Sequence, residues 1–347
     1  MNYGIVGAGI MGRLLAWQLA KRGDSVTLFD RDKIDHGNDN GLAAAYTAAG
    51  MLTPISEAES TEAEITTLGL RSLQLWPEIV KQLPQDVDFH QRGSIILAHS
   101  NDRPELLNFR NHVARTPAAI ERVTQLDSQQ ITELEPELAK HFNDANFIPG
   151  ESWLSSQACM SVLAKDLQNM GATLIEQAQI DNIESGQVEH QNQTYKFDCV
   201  IDCRGIGAKP DLPTLRGVRG EVVLLHAPEV NIRHLVRLMH PRYRIYIVPR
   251  ANHHYVIGAT QIESSDTSNI TVRSALELLS AAYSVHPGFG EANIMHTRVN
   301  CRPALPDNLP KITHDSGLMR INGLFRHGFL LAPALAEKAI HLLTNAK

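Results

Sequence analysis

A strand that runs straight into a glycine turn and then a helix leaves a chain few folds to choose from. Residues 2–30, NYGIVGAGIMGRLLAWQLAKRGDSVTLFD, have that order. The apolar run from Tyr3 to Val6 reads as a buried parallel strand. It breaks at Gly7-Ala8-Gly9-Ile10-Met11-Gly12, after which Leu14, Leu15, Leu19 and Ala20 fall on one helical face. Gly23 stands where a helix C-cap belongs, and a second strand, residues 25–29, ends at Asp30. Each part has a task in dinucleotide binding. Gly7 permits a tight turn, Gly9 lets the backbone approach a pyrophosphate, and Gly12 lets helix and strand pack closely. The helix N-terminus presents N–H groups and a positive dipole end to the phosphates. Asp30, eighteen residues past Gly12, is placed to accept hydrogen bonds from an adenosine ribose and would repel a 2′-phosphate, which disfavours NADP. The motif alone leaves NAD and FAD open.

A chain of 347 residues suits two domains, each with its own core. The formal net charge of −6 disfavours nucleic acid or anionic membrane as a partner. Four cysteines (Cys159, Cys199, Cys203, Cys301) form no CxxC pair, so neither a metal site nor a disulfide framework is expected. The first strand begins at once and no apolar run approaches membrane-spanning length. The expectation is a cytoplasmic protein without an integral membrane segment.

Beyond Asp30, residues 31–40 are polar and read as loop, and residues 41–52, GLAAAYTAAGML, are small enough to predict backbone packed closely on a flat surface. Helices are expected over 62–83, 105–113, 128–134, 157–170 and 272–283, and a hairpin or strand pair over 89–98. Short strands are expected at 172–177, 179–183, 187–190 and 194–197. The apolar run 198–205 returns the chain to the parallel sheet and brings Gly205 near the phosphates. Residues 218–262 are strand-rich. In RYRIYIVPR, alternation puts Arg242, Arg244, Tyr246 and Val248 on one face and Tyr243, Ile245 and Ile247 on the other. His253 and His254 read as strand neighbours pointing to opposite faces, so neither makes a convincing general base. Residues 293–301 are strand-like, and GLFRHGFLLAPALAEKAIHLL is a glycine-rich turn entering a terminal helix.

Six segments then stand together: GAGIMG with Asp30, AAGML at 48–52, YIVPR at 246–250, VIGAT at 256–260, CRPALPD at 301–307 and FRHGFLLAPA at 325–334. In this order they resemble the D-amino-acid oxidase superfamily, most closely its bacterial glycine oxidases associated with thiamine synthesis. The resemblance implies an α/β fold: a Rossmann-like FAD-binding domain (1–85, 147–215 and 303–347) with an inserted antiparallel-sheet, α+β substrate domain (86–146 and 216–302). It implies FAD as cofactor, with Ile10, Met11, Asp30 and Arg31 at the ADP half. Ala44, Ala45, Ala49, Gly50 and Met51 would meet the pyrophosphate, ribityl chain and flavin, and the backbone of Ile180 the adenine. Leu324, Phe325, Arg326, His327, Gly328, Phe329 and Leu330 would run along the isoalloxazine ring. Arg302 matches an arginine that clamps the substrate carboxylate, and Tyr246 a tyrosine that hydrogen-bonds it.

Departures from the pattern bear on the substrate. Alanines stand at 44 and 45 where relatives have hydroxyl residues, so phosphate contacts there fall to backbone. Arg244 replaces a histidine, Gln261 a methionine and His327 an asparagine. Arg244 either reaches the cavity and favours a second acidic group on the substrate or bends out to solvent.

The implied reaction is oxidative deamination of glycine or a small D- or N-methyl amino acid. Hydride passes to flavin N5, the imine hydrolyses, and oxygen is reduced to hydrogen peroxide, with a link to thiamine synthesis. A planar guanidinium suits this, because two parallel hydrogen bonds fix a carboxylate and hence the Cα–H bond. Arg302, Tyr246 and Arg326 are therefore the candidate catalytic residues and Arg244 a further substrate contact; plainer readings are a salt bridge for Arg302, a core aromatic for Tyr246 and a structural role for Arg326. The partners are a small amino acid or amine and oxygen or another electron acceptor, and a homo-oligomer is compatible with the sequence. Two competing readings are a dehydrogenase of the same fold with a non-oxygen acceptor and a flavoprotein without turnover.

Overall fold

The structure is a computed structural model that describes residues 1–36, 41–242 and 244–345. The end of the expected loop, residues 37–40, and Tyr243 lie outside the described residues. Strand Asn2–Val6 sits inside a six-stranded sheet. Ser25–Phe29 and then Thr173–Ile175 flank it on one side, and Cys199–Asp202, Leu318–Asn322 and Lys311–Asp315 on the other. All pairs are parallel except the last, so the carboxyl ends of three strands, at Val6, Phe29 and Asp202, open on one edge. That edge is where an open α/β sheet binds its ligand. Helix Ile10–Lys21 packs against Ser156–Asn169 and the terminal helix Gly328–Asn345. Its apolar face supplies Leu14, Leu15 and Leu19 to a core shared with Leu28, Leu331 and Leu335.

A nine-stranded sheet faces that edge. Its order is Ile262–Glu263, Arg216–His226, His254–Gly258, Ile245–Arg250, Leu235–Met239, Ser94–Ala98, Asp144–Ile148 and Thr124–Asp127, with Asn293–Ala304 also paired along Arg216–His226. It is antiparallel apart from the pairing of Leu235–Met239 with Ser94–Ala98. The register sets Arg302 opposite Val218, and Tyr246 between Arg237 and Gly258.

Several expectations are corrected. Only Ser94–Ala98 of the 89–98 segment is a strand, because the chain turns at Gly93 with φ +87° after a single bridge from His90 to Trp153. The strand expected at 179–183 begins only at Asn182. Ala178 and Ile180 are spent on a small core with Phe29 and Val188 instead. His253 lies in a turn with φ +54°, and the strand starts at His254. The expected change-overs at 147 and 303 cut through strands Asp144–Ile148 and Asn293–Ala304, whose last residues still pair within the nine-stranded sheet.

Candidate active site

A cavity of about 660 Å³ separates the two sheets. One wall is the glycine turn, Asp30, residues 42–51 and the segment around 321–330, and the other carries Arg237, Tyr246, Thr260 and Arg302. Contact requires two of the three glycines, Gly7 and Gly12. Gly7 has φ +102°, and a side chain on it would run into the backbone of Cys203 and Arg204. A Cβ on Gly12 would overlap the carbonyl of Gly7, so helix and strand touch there. Nothing lies within 4 Å of where a Cβ of Gly9 would be, which keeps the backbone open to the cavity. The helix starting at Ile10 has no side-chain cap on its first N–H groups.

Asp30 Oδ2 accepts from the Ala8 amide at 2.5 Å and Oδ1 from that of Asp32 at 2.9 Å. Burial raises its pKa, with those two bonds and Arg13 opposing. Arg13, only 1% exposed, was not singled out from the sequence. Its Nε donates to Ala8 O at 2.6 Å, Nη1 to Met160 O at 2.7 Å and Nη2 to the Tyr46 hydroxyl at 2.9 Å. It ties the glycine turn to the small-residue segment. The one signal was a charged residue inside an otherwise apolar first helical turn.

Of the residues assigned to the cofactor, Ile10, Met11, Asp30, Arg31, Ala44, Ala45, Ala49, Gly50, Met51, Gly205 and all of 324–330 line the cavity, as do Gly7 and Gly9. Gly12 lies behind the turn, and Ile180 lines a separate hollow of about 60 Å³ that shares Gly7, Asp30 and Arg31 with the main cavity. Arg250, also unforeseen, bonds Ala49 O at 2.6 Å and Leu154 O at 3.2 Å, and burial lowers its pKa to about 10. It fastens the nine-stranded sheet to the 49–51 backbone. Gly328 opens the terminal helix at the cavity, held by the Trp76 indole donating to Phe329 O at 2.9 Å.

At the other end, Arg302 is half-buried, and burial lowers its pKa. Its Nη1 donates to Thr260 O at 3.0 Å and Arg219 O at 3.3 Å. No carboxylate pairs with it among the described residues, so the salt-bridge reading is not what the structure contains. A Cβ on Gly220 would overlap its guanidinium, and one on Gly258 would overlap the Tyr246 hydroxyl. The VIGAT segment is thus read by geometry: Gly258 makes room for Tyr246 and Thr260 holds Arg302. Burial pushes the Tyr246 hydroxyl up to about 12, so it is a neutral donor at working pH.

Arg326 Nε donates to His327 Nε2 at 3.3 Å, and His327 Nδ1 lies 3.2 Å from Glu57 Oε2. With one ring nitrogen accepting and the other facing a carboxylate, His327 is a neutral link whose pKa burial lowers further. Burial opposes ionisation of Glu57, yet Arg326, His327 and Arg237 hold its carboxyl well below the usual range. Arg244 lines the cavity mouth, 39% exposed, with Glu59 at 2.9 Å and Glu105 at 3.3 Å. Cys301 also lines it, but its thiol faces the carbonyls of Ser264 and Asp266 at 3.6 Å and burial raises its pKa.

Uncapped N–H groups at the Ile10 helix, an open backbone at Gly9, the Asp30 carboxylate and a second helix start at Gly328 make a donor and acceptor set suited to an adenine dinucleotide that carries a second ring system. A family model described as FAD dependent oxidoreductase (DAO) matches residues 2–342. The ThiO protein of Rhizobium etli, described as a thiamine biosynthesis oxidoreductase, is 41% identical over 340 residues, covering 98% of this chain and 95% of that one. Glycine oxidase of Geobacillus kaustophilus is 28% identical over 347 residues, covering 95% and 89%. Its crystal structure superposes with a TM-score of 0.85 over 99% of this chain and 94% of that one, at 26% identity. On that match across nearly its whole length, the chain belongs to the DAO family of FAD-dependent oxidoreductases.

Proposed function

We propose that this enzyme oxidises the α-carbon of glycine or a similarly small D- or N-methyl amino acid and passes the electrons on to oxygen. The observation that carries the reading is Arg302, a guanidinium in the cavity wall with carbonyl partners on Nη1 and no carboxylate partner among the described residues. The Tyr246 hydroxyl lies in the same cavity without a protein hydrogen bond among the described residues. Together they suit a substrate carboxylate: Arg302 grips it and Tyr246 adds a neutral donor. Bound FAD supplies the two-electron acceptor. The cradle of Gly7, Gly9, Asp30 and residues 324–330 would hold it. The Arg326–His327–Glu57 link fixes the wall beside the substrate and leaves His327 committed, so the substrate amine loses its proton to water before or on binding. A rate that rises with pH as the amine deprotonates is then expected, with Tyr246 staying protonated through the neutral and mildly alkaline range. The names of the relatives support glycine as substrate and a place in thiamine synthesis.

Incubating the purified protein with glycine, sarcosine and D-alanine and assaying peroxide tests the reading. Reduction of the flavin by these substrates without peroxide would instead favour a dehydrogenase, and no reduction by any amine would remove the proposal. The cofactor is expected to be held without a covalent bond, since the cavity thiols Cys203 and Cys301 both have raised pKa values and stay protonated. Acid precipitation should leave the yellow colour in the supernatant, and colour in the pellet would refute this.

A further inference from the structure

Arg302 is not the sole guanidinium on the cavity lining. Arg237, on the neighbouring strand directly opposite Tyr246, lines the same cavity and is 5% exposed. Its Nη2 donates to Glu59 Oε1 at 3.0 Å, while its buried Nη1 has no hydrogen-bond partner among the described residues. A buried, charged N–H donor left unbonded is unfavourable, and an anionic ligand oxygen would relieve it. Arg244 shares the Glu59 carboxylate at 2.9 Å, so one acid stands between two guanidinium groups. Arg242 and Arg273 are exposed on the lining of the same cavity, where Glu57 and Glu277 also stand, while Glu105 pairs with Arg244 at 3.3 Å. A chain with a net charge of −6 has thus gathered arginines around one opening. Such a mouth raises the local concentration of anions and rejects cations.

We propose that Arg237, with Arg244 at the mouth, forms a second anion subsite, and that the enzyme takes small amino acids carrying a further carboxylate on the side chain or on the nitrogen. The proposal rests on the reading of Arg302 as the first carboxylate anchor. The guanidinium borders the cavity, and a small turn brings Nη1 to the second carboxylate, which so fixes the far end of the substrate.

Ligands without an amine separate binding from turnover. The FAD-loaded enzyme is titrated calorimetrically with malonate, succinate and glutarate, and with acetate, propionate and butyrate as monoanions of similar size. At least one dicarboxylate should bind about tenfold or more tightly than its monocarboxylate counterpart, the order expected of one charge-assisted hydrogen bond. Arg237→Gln should erase that ratio. Arg237→Lys, which keeps a cation for Glu59 and guards against a failure to fold, should lower the ratio without abolishing it. Equal affinity of the wild type for the two series, or a ratio retained in Arg237→Gln, overturns the subsite. Peroxide from glycine together with equal affinities would sink the subsite and spare the oxidase reading. A dicarboxylate preference with no amine oxidised would do the reverse.

Discussion

Arg302→Ala is expected to fold and keep its FAD while kcat/KM for glycine falls by roughly 30- to several-thousand-fold, the equivalent of about 2–5 kcal/mol for a desolvated charge pair that loses one partner. Among the described residues the side chain hydrogen-bonds only to the carbonyls of Thr260 and Arg219, so its removal strands no acid among them. Arg302→Lys should recover only part, because an ammonium keeps the charge and loses the two-pronged geometry. A finer variant checks position rather than charge. Gly220→Ala leaves Arg302 in place but puts a methyl group where its guanidinium lies, and the flexible end of the side chain must move. A loss of about tenfold or more in kcat/KM is expected, since small misplacements of a positioning group are costly. It should be concentrated in substrates with a carboxylate. Equal losses for glycine and for a carboxylate-free amine would show that Arg302 supports the fold or the cofactor instead.

The largest effect on stability is expected at Arg13. Arg13→Ala removes three buried, charge-assisted hydrogen bonds, to the carbonyls of Ala8 and Met160 and to the hydroxyl of Tyr46, which keeps only its longer bond to Ile34 O at 3.3 Å. At ~1–3 kcal/mol for each lost charge-assisted bond, the sum is roughly 3–9 kcal/mol. In a chain of this size each kcal/mol moves Tm by about 2–4 °C, so a thermal scan of the FAD-free protein should show a drop on the order of 10 °C. Affinity for FAD should fall as well, because the same guanidinium holds the glycine turn against residues 44–46. Arg22→Ala, an exposed arginine 3.8 Å from Asp24, is the control and should change little. An Arg13→Ala variant melting within 2 °C of wild type would mean that water replaces those bonds and that the arginine does not organise the turn.

What could be read along the chain was local. The glycine turn was legible because its strand, turn and helix are consecutive and Gly12 answers to the carbonyl of Gly7, although Gly7 itself meets the remote backbone of Cys203 and Arg204, and the periodicity of helices such as Ala63–Gln82 and Val272–Val285 is likewise carried by consecutive residues. The family was legible because its motifs keep their order, and with it came FAD and the two-sheet architecture. Mixed polar segments misled: 89–98 looked like two strands because alternation cannot register a turn at Gly93, and 179–183 looked like one because two apolar residues served a local core.

The sequence by itself determined the cofactor class, the parallel sheet and the residue types able to grip a carboxylate. Only the tertiary structure decided which arginines meet the cavity and what each is paired with. Arg302 and Tyr246 lie 56 residues apart and come together through strand register, with Gly220 and Gly258 clearing the space. Arg237 and Arg250 carry no local mark of their roles, since their partners, Glu59 and Ala49, are each more than a hundred residues away, and Arg13 shows only a charge in an apolar turn. A charge's function depends on the dielectric and the acceptors around it, and those are set by long-range packing that no short window of sequence contains.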